Sequence, residues 1–196
     1  MTYTKEQLNQ CLNGVICMLN YDQRKHLAET PDTKPETLDV LSRDEYVYVR
    51  GCVAENLNTK PETLDVLSRD ENSYVRCGVA KNLNTKPEIL DVLSQGEDFY
   101  VRRYVARNLN TKPETLDVLS HDKDCGVRYG VAQNHNTNPE TLDALSQDEN
   151  SDVREKVKQN PNYKNKVTVE LSSTQHEALK KLIESSQDPE LRNVTL

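Results

Sequence analysis

The sequence has too few hydrophobic residues to suit a compact single-core domain. It contains no tryptophan and one phenylalanine, and hydrophobic residues make up 35% of its 196 positions. Globular domains usually have about 45–50% apolar residues. We therefore expect an elongated architecture, which has more surface per residue and needs a smaller core.

Long apolar runs are also missing, and this bears on membrane association. The most apolar stretch, Leu12–Leu19, is interrupted by Asn13 and preceded by the charged residues Lys5 and Glu6. A membrane-spanning helix needs about 20 apolar residues, and a signal peptide has a basic segment before its apolar one. The sequence predicts neither, so we expect a cytoplasmic protein without membrane contact.

The motifs of catalytic and metal-binding proteins are absent as well. The chain has no HExxH, no glycine-rich phosphate loop and no GxSxG. Its cysteines are odd in number and form no CxxC pair, so they favour neither a zinc site nor a disulfide framework. We predict a non-enzymatic protein without a cofactor, whose five cysteines are free thiols: Cys11, Cys17, Cys52, Cys77 and Cys125.

What the sequence does contain is a repeat of 26 residues. Proline recurs at positions 35, 61, 87, 113 and 139, and arginine keeps the same step from position 24 to 154. A fixed period of 20–50 residues is typical of solenoids, in which each unit buries its apolar face against its neighbours. We predict an N-terminal capping helix (1–23), a solenoid of five copies plus a half (24–161) and a C-terminal tail (162–196).

Each copy is predicted to contain a longer and a shorter helix. The longer helix is expected to start near Ser68, where Ser68-x-x-Glu71 would form a capping box, or near Asp70, and Asn82 is expected to end it in the left-handed conformation. Positions i, i+4 and i+8 of this helix would form one buried stripe of Val75, Val79 and Leu83.

The shorter helix is predicted to begin at another capping box, formed by Thr59 and Glu62. Pro61 lies between them, in the first turn, where its missing N–H costs nothing. Leu64 and Leu67 supply two core positions three residues apart, a spacing that suits a tight or 3₁₀-like helix.

These motifs combine into the pattern VRxxVAxNxNTxPExLxxLSxDxxxxVR, which resembles the leucine-rich repeat variant family. The resemblance implies an all-α, right-handed helical repeat solenoid of alternating α- and 3₁₀-helices without a sheet. The chain departs from the family where Asn-Leu replaces Asn-Pro, at Asn56, Asn82 and Asn108. The cysteine-rich iron–sulfur segment described for one family member has no counterpart here.

The tail after Pro161 has a different pattern. Lys166–Leu171 (KVTVEL) alternates like a strand, and a helix is predicted from Thr174 onward. This strand–helix appendage could pack on the last repeat or form a homodimer. Its opening resembles that of ribbon-helix-helix proteins, although too few residues remain for their second long helix.

The recurring arginines form a predicted ladder along the array. They could pair with aspartates, which precede most of them by six residues, and so lock neighbouring repeats together. On that interpretation, Arg76→Ala would strand a paired carboxylate. Alternatively, a row of guanidinium groups on a concave face could follow a nucleic-acid backbone. The ladder consists of Arg24, Arg50, Arg76, Arg102, Arg128 and Arg154.

Two further sets of positions could contact a partner. Tyr48, Tyr74 and Tyr100 recur two residues before the arginine, where they could stack bases or pack half-buried. The pair of residues after each arginine is a different combination in every copy, as expected of a binding face or of neutral drift. The most basic and aromatic part of this surface, and our candidate binding site, is Arg102, Arg103, Tyr104, Arg107 and Tyr129.

The sequence thus predicts a solenoid scaffold that binds a partner, most simply a protein, along one face. Nucleic-acid binding and a purely structural spacer remain the alternatives. Salt dependence separates the first two, since phosphate contacts weaken steeply between about 50 and 200 mM salt.

Overall fold

The computed structural model describes residues 12, 14–163, 177, 180, 181 and 183 of the chain. In this part, eleven helices have defined bounds and no strand is present, which confirms the predicted all-α class. The chain divides into two compact units, Met1–Lys164 and Asn165–Leu196.

Six of the helices are long, with nine residues each, and recur once per repeat. Their N-caps have extended backbone, and most of these caps are asparagine or aspartate side chains that accept backbone N–H bonds. The long helices are α1 (Tyr21–Glu29), α3 (Val47–Glu55), α5 (Ser73–Lys81), α7 (Phe99–Arg107), α9 (Cys125–Gln133) and α11 (Ser151–Gln159).

Five shorter helices of seven residues alternate with them. Each has proline at its first position, and each ends at a leucine followed by a serine cap. They contain α-type bonds, such as Ser68 N–H to Leu64 O at 2.9 Å, so the predicted tight helix is a short α-helix. The short helices are α2 (Pro35–Leu41), α4 (Pro61–Leu67), α6 (Pro87–Leu93), α8 (Pro113–Leu119) and α10 (Pro139–Leu145).

The core lies between the two helix types and continues from repeat to repeat. Each long helix contacts the next long helix as well as its neighbouring short helices. Each complete copy contributes two leucines from the short helix and two valines from the long helix, all fully or nearly fully buried. In the second copy these are Leu64, Leu67, Val75 and Val79. Stacking of this kind makes each unit depend on its neighbours for burial.

Three predictions about helix ends and the core stripe are wrong. Leu83 is 57% exposed, because the long helix ends at Lys81 and the chain turns outward. Ser68 caps the end of α4 and donates to Asp65 O, so it opens no helix. Thr59 is buried and donates to Val53 O at 2.5 Å, and the N-cap of α4 is Lys60 without a side-chain cap bond, so the predicted capping box does not form.

The asparagine that follows each long helix is not left-handed, which corrects another expectation. Asn82 has φ −69° and ψ 126°, an extended conformation. Its buried Nδ2 group donates to two carbonyls of the preceding repeat, Ala54 O at 2.8 Å and Asn56 O at 2.9 Å. The same pattern recurs in what we call the asparagine ladder: Asn56, Asn82, Asn108, Asn134 and Asn160.

The ends of the chain are described only in part. Helical residues occur at Leu12 and 14–17, and Ile16 is buried, consistent with the predicted N-terminal helix. The predicted strand Lys166–Leu171 lies outside the described residues. The four described residues of the tail, at 177, 180, 181 and 183, are helical.

Candidate functional site

The arginine ladder pairs successive repeats through carboxylates. Four of the six arginines form an ion pair with the carboxylate of the aspartate 20 residues later, in the next repeat; an aspartate six residues before an arginine offers only its backbone carbonyl. In the pair Arg102–Asp122, Nε donates to one carboxylate oxygen at 2.5 Å and a terminal nitrogen donates to the other at 3.0 Å. Arg50–Asp70 and Arg128–Asp148 form the same two bonds. Arg24 forms an ion pair with Asp44, and the Nε to oxygen distance is 2.7 Å in all three.

The remaining terminal nitrogen of the ladder arginines binds backbone carbonyls of the loop before the long helix. Arg102 donates to Gly96 O and Glu97 O, both at 2.8 Å. The paired arginine side chains are only 9–14% exposed. Guanidinium groups arranged in this way already have acceptors and are largely covered, so they offer little to a phosphate backbone.

Arg76 differs from these pairs, and this corrects one sequence-based expectation. The position 20 residues after it holds Gly96, so no carboxylate would be stranded by Arg76→Ala. Arg76 does donate to Asp70 O at 2.7 Å and to Glu71 O at 2.9 Å. Arg76 therefore faces a repeat in which Gly96 replaces the aspartate that pairs with four of the other ladder arginines.

Restoring this aspartate is expected to stabilise the protein. Gly96 has no positive φ, and an added Cβ would have one near neighbour, Leu93 O at 3.3 Å. Gly96→Asp should raise the free energy of unfolding by about 1–2 kcal/mol through charge-assisted bonds to Arg76. Gly96→Ala is the matched control for the loss of glycine flexibility. Equal stabilisation by both variants in thermal or urea unfolding would show that no ion pair forms.

The exposed side of the long helices forms a second surface, which we call the long-helix face. It carries four positions per helix with spacing i, i+3, i+4 and i+7. In α7 they are Tyr100, Arg103, Tyr104 and Arg107, all at least partly exposed. The pairs of positions that differ between copies occupy the middle of this set, so the sequence variation concentrates on one face.

Glycines on this face set how closely neighbouring helices approach. A Cβ at Gly78 would lie 2.8 Å from the Ala54 Cβ, and one at Gly130 would lie 3.0 Å from the Ala106 Cβ. Both glycines are buried against the preceding long helix. The surface of the long-helix face is therefore lower at these glycines than at the larger side chains that occupy the same position in neighbouring copies.

Three of the five predicted site residues meet in a cleft on this face. Arg103 and Arg107 of α7 and Tyr129 of α9 line a space of about 600 Å³. Tyr104 lies on the other side of α7, where Lys81 Nζ is 4.7 Å from its ring centroid. Arg102 belongs to the arginine ladder and points away from the cleft towards Asp122.

The structure adds cleft residues that the sequence reasoning missed. Gly126 lies at the base, and the opposite wall is formed by the end helix α11 through Asp152, Glu155, Lys156 and Gln159. The sequence did contain a signal for this cleft. Tyr48, Tyr74 and Tyr100 recur at one position of the repeat, and Gly126 breaks the series, so a side chain is missing there and leaves a space.

The two arginines of the cleft lack the carboxylate partners that the ladder arginines have. Their Nε atoms are buried without a hydrogen-bond acceptor, and within the described residues neither forms an ion pair. Burial and the neighbouring charge of Arg103 lower the pKa of Arg107 below its ordinary value. The Arg107 guanidinium carbon instead lies 6.0 Å from the ring centroid of Tyr129.

The described residues offer few candidates for a metal site, a reactive thiol or a membrane-spanning helix. No group of three or more His, Cys, Asp or Glu residues is placed to hold a metal ion there. Burial raises the pKa of the Cys52 and Cys77 thiols to about 11, so both stay protonated at neutral pH. No helix in this part of the chain is both long and apolar enough to cross a membrane.

Comparison with known proteins supports the fold. No protein-family profile and no curated protein matches the sequence. A solved structure described as a leucine-rich repeat variant with a novel repetitive protein structural motif is 26% identical and has a TM-score of 0.61. The match covers 94% of this chain and 68% of that one. The resemblance seen in the sequence is therefore confirmed, and these repeats have the fold of a leucine-rich repeat variant.

Proposed function

We propose that this protein is a non-enzymatic scaffold whose long-helix face binds a protein partner. The observation that carries the proposal is the division of roles within each repeat. The residues that recur in most copies are largely occupied in holding the repeats together, through the arginine ladder, the asparagine ladder and the core. The two positions after each ladder arginine, which vary most between copies, lie on one face, where packing leaves their identity open.

The character of this face suits a protein more than a nucleic acid. It exposes aromatic side chains, with Tyr48 at 56% and Tyr100 at 52%. Residues 24–161 carry 19 basic and 25 acidic side chains, a difference of −6. An extended phosphate backbone would meet net repulsion from such an array, whereas aromatic and arginine side chains are enriched in protein interfaces.

A pair of matched variants tests which face binds. Tyr100→Asp changes the long-helix face, and Val118→Asp changes a short helix at a residue that is 67% exposed. Both replacements are at exposed positions and should leave folding intact. In capture experiments from the host lysate, we expect a stoichiometric protein bound to wild type and to Val118→Asp, and lost from Tyr100→Asp.

The alternatives give different results in the same experiment. Bound material that absorbs at 260 nm and leaves between about 50 and 200 mM salt would establish nucleic-acid binding instead. If wild type captures no stoichiometric partner, the spacer interpretation replaces the proposal. Loss of the partner from Val118→Asp alone would move the interface to the short helices.

A further inference from the structure

The cleft between α7 and α11 owes its existence to one small residue. At the position of Gly126, earlier copies carry Tyr48, Tyr74 and Tyr100. The ring of Tyr74 covers the preceding long helix: a Cβ on Gly51 would lie 2.2 Å from that ring. Gly51 and Arg103 occupy the same position of their repeats. A tyrosine at 126 would cover Arg103, and glycine leaves that side chain open.

The open space contains a concentrated positive charge. Arg103 and Arg107 are one helical turn apart on α7, so their guanidinium groups lie on the same wall. Neither has an ion-pair partner among the described residues, and both have a buried Nε without an acceptor. An anionic group entering the cleft would meet two cationic side chains that no carboxylate neutralises, and it would accept from their terminal guanidinium nitrogens.

From this geometry we infer that the cleft of Arg103, Arg107, Gly126 and Tyr129 binds a carboxylate side chain from an acidic segment of the protein partner. This inference rests on the proposed function and names its central contact. Planar carboxylates match the donor fork of arginine, and the ring of Tyr129 offers an apolar surface to the neighbouring residue of the segment.

The opposite wall argues for a carboxylate rather than a polyphosphate. Asp152 and Glu155 line the cleft on α11, and Lys156 lies 5.3 Å from the Tyr129 ring centroid. One carboxylate seated on α7 would stay on the cationic side. A nucleic acid would bring further phosphates towards Asp152 and Glu155, where like charges repel.

Short peptides test the inference directly. The probes are acetyl-Leu-Asp-Asp-Leu amide, its neutral counterpart acetyl-Leu-Asn-Asn-Leu amide, and inorganic phosphate. The readout is the Nε–H signals of Arg103 and Arg107 in ¹⁵N NMR spectra of the full chain, assigned with Arg103→Lys and Arg107→Lys. We expect the acidic peptide to shift both signals with a dissociation constant on the order of 1 mM.

Substitution at Gly126 supplies the matched variants. Gly126→Tyr should fill the cleft and weaken acidic-peptide binding about 10-fold or more. Folding should be preserved because Tyr48 and Tyr100 occupy this position where the preceding repeat carries Lys25 and Cys77 in place of Gly51. Gly126→Ala adds only a methyl group, which would lie 3.0 Å from Asp124 Oδ1 and 3.5 Å from Arg103 Cδ. A small shift of the Asp124 side chain accommodates it, so binding should stay within about 2-fold. Unfolding curves of both variants show whether the array stays intact.

The inference fails if the neutral peptide shifts the two signals as much as the acidic one, if phosphate binds more tightly, or if Gly126→Tyr binds the acidic peptide like wild type. Lysate capture separates these failures from failure of the proposed function. A partner that is lost from Tyr100→Asp and kept by Gly126→Tyr would leave the long-helix face as the interface and overturn only the cleft assignment.

Discussion

Replacing Asn108 with leucine is expected to lower the free energy of unfolding by about 4 kcal/mol. The Asn108 side chain is 4% exposed and makes three bonds. It donates to Ala80 O at 2.7 Å and Asn82 O at 3.0 Å, and accepts from Asn110 N–H at 2.8 Å. Leucine has similar volume but no polar atoms. The variant would leave Ala80 O in the preceding repeat and Asn110 N–H unpaired, whereas Asn82 O would keep its bond from Thr85 N–H. Urea unfolding followed by circular dichroism measures the change.

The adjacent residue supplies the control for this experiment. Leu109 is 56% exposed, so Leu109→Asn should change stability by less than about 0.5 kcal/mol. Asn108→Gly separates the two explanations of the asparagine. A left-handed cap would tolerate glycine, whereas the observed φ of −72° and the bonds between repeats predict a loss close to that of Asn108→Leu. A stable glycine variant would contradict the ladder.

Removing one carboxylate of the arginine ladder is the second large effect. Asp122→Ala is expected to cost about 3 kcal/mol, because it leaves the guanidinium of Arg102 covered and without its charged partner. The two side chains are 10% and 8% exposed, and Asp122 also accepts from Asp124 N–H at 2.9 Å. Thermal unfolding of the purified variant measures the loss.

An exposed ion pair provides the comparison for Asp122→Ala. Arg69 and Asp65 form a pair within one repeat, at 68% and 45% exposure, so Arg69→Ala should cost less than about 0.5 kcal/mol. Replacing both Arg102 and Asp122 by apolar residues of similar size should recover part of the stability, since no buried charge then remains unpaired. If Asp122→Ala and Arg69→Ala behave alike, the ladder does not stabilise the array.

The same aspartates predict a dependence of stability on pH. Burial opposes ionisation of Asp122, but the bonds from Arg102 and from Asp124 N–H, and the charge of Arg102, outweigh it and lower the pKa of Asp122 below 3.8. A lowered folded pKa means that the stabilisation is complete above the unfolded pKa and is lost as pH falls through the folded pKa. We expect unfolding temperatures to fall below about pH 4, and to fall less in Asp122→Asn than in wild type.

Much of the architecture could be predicted from the sequence because each copy of the repeat carries the same pattern of helix-starting and core residues. The proline at the start of each short helix and the valine and leucine positions recur at fixed spacing, and each has one local meaning. The core positions Leu64, Leu67, Val75 and Val79 were therefore found. Leu83 was misplaced because helical periodicity was extended past Lys81, where the chain leaves the helix.

The failed predictions concern polar side chains that fit local capping rules but use other partners. Asn82 donates to carbonyls of the preceding repeat, Thr59 donates to Val53 O of the long helix before it, and Ser68 donates to Asp65 O in the helix that it ends. The pairing of Arg102 was expected to involve an aspartate, but its partner lies 20 residues ahead. Sequence distance says little about such contacts, since the stack brings residues about one repeat apart into register.

The sequence by itself determined the solenoid, its helical repeats and the set of positions that vary, because periodicity and local propensity are properties of the chain. Only the tertiary structure decided which polar residues hold the repeats together and which remain free for a partner. That division depends on burial and on distances between neighbouring repeats. It separates the guanidinium of Arg102, which is paired with Asp122, from those of Arg103 and Arg107, which line the cleft without an ion pair among the described residues, although all three have the same chemistry and lie within six residues of one another.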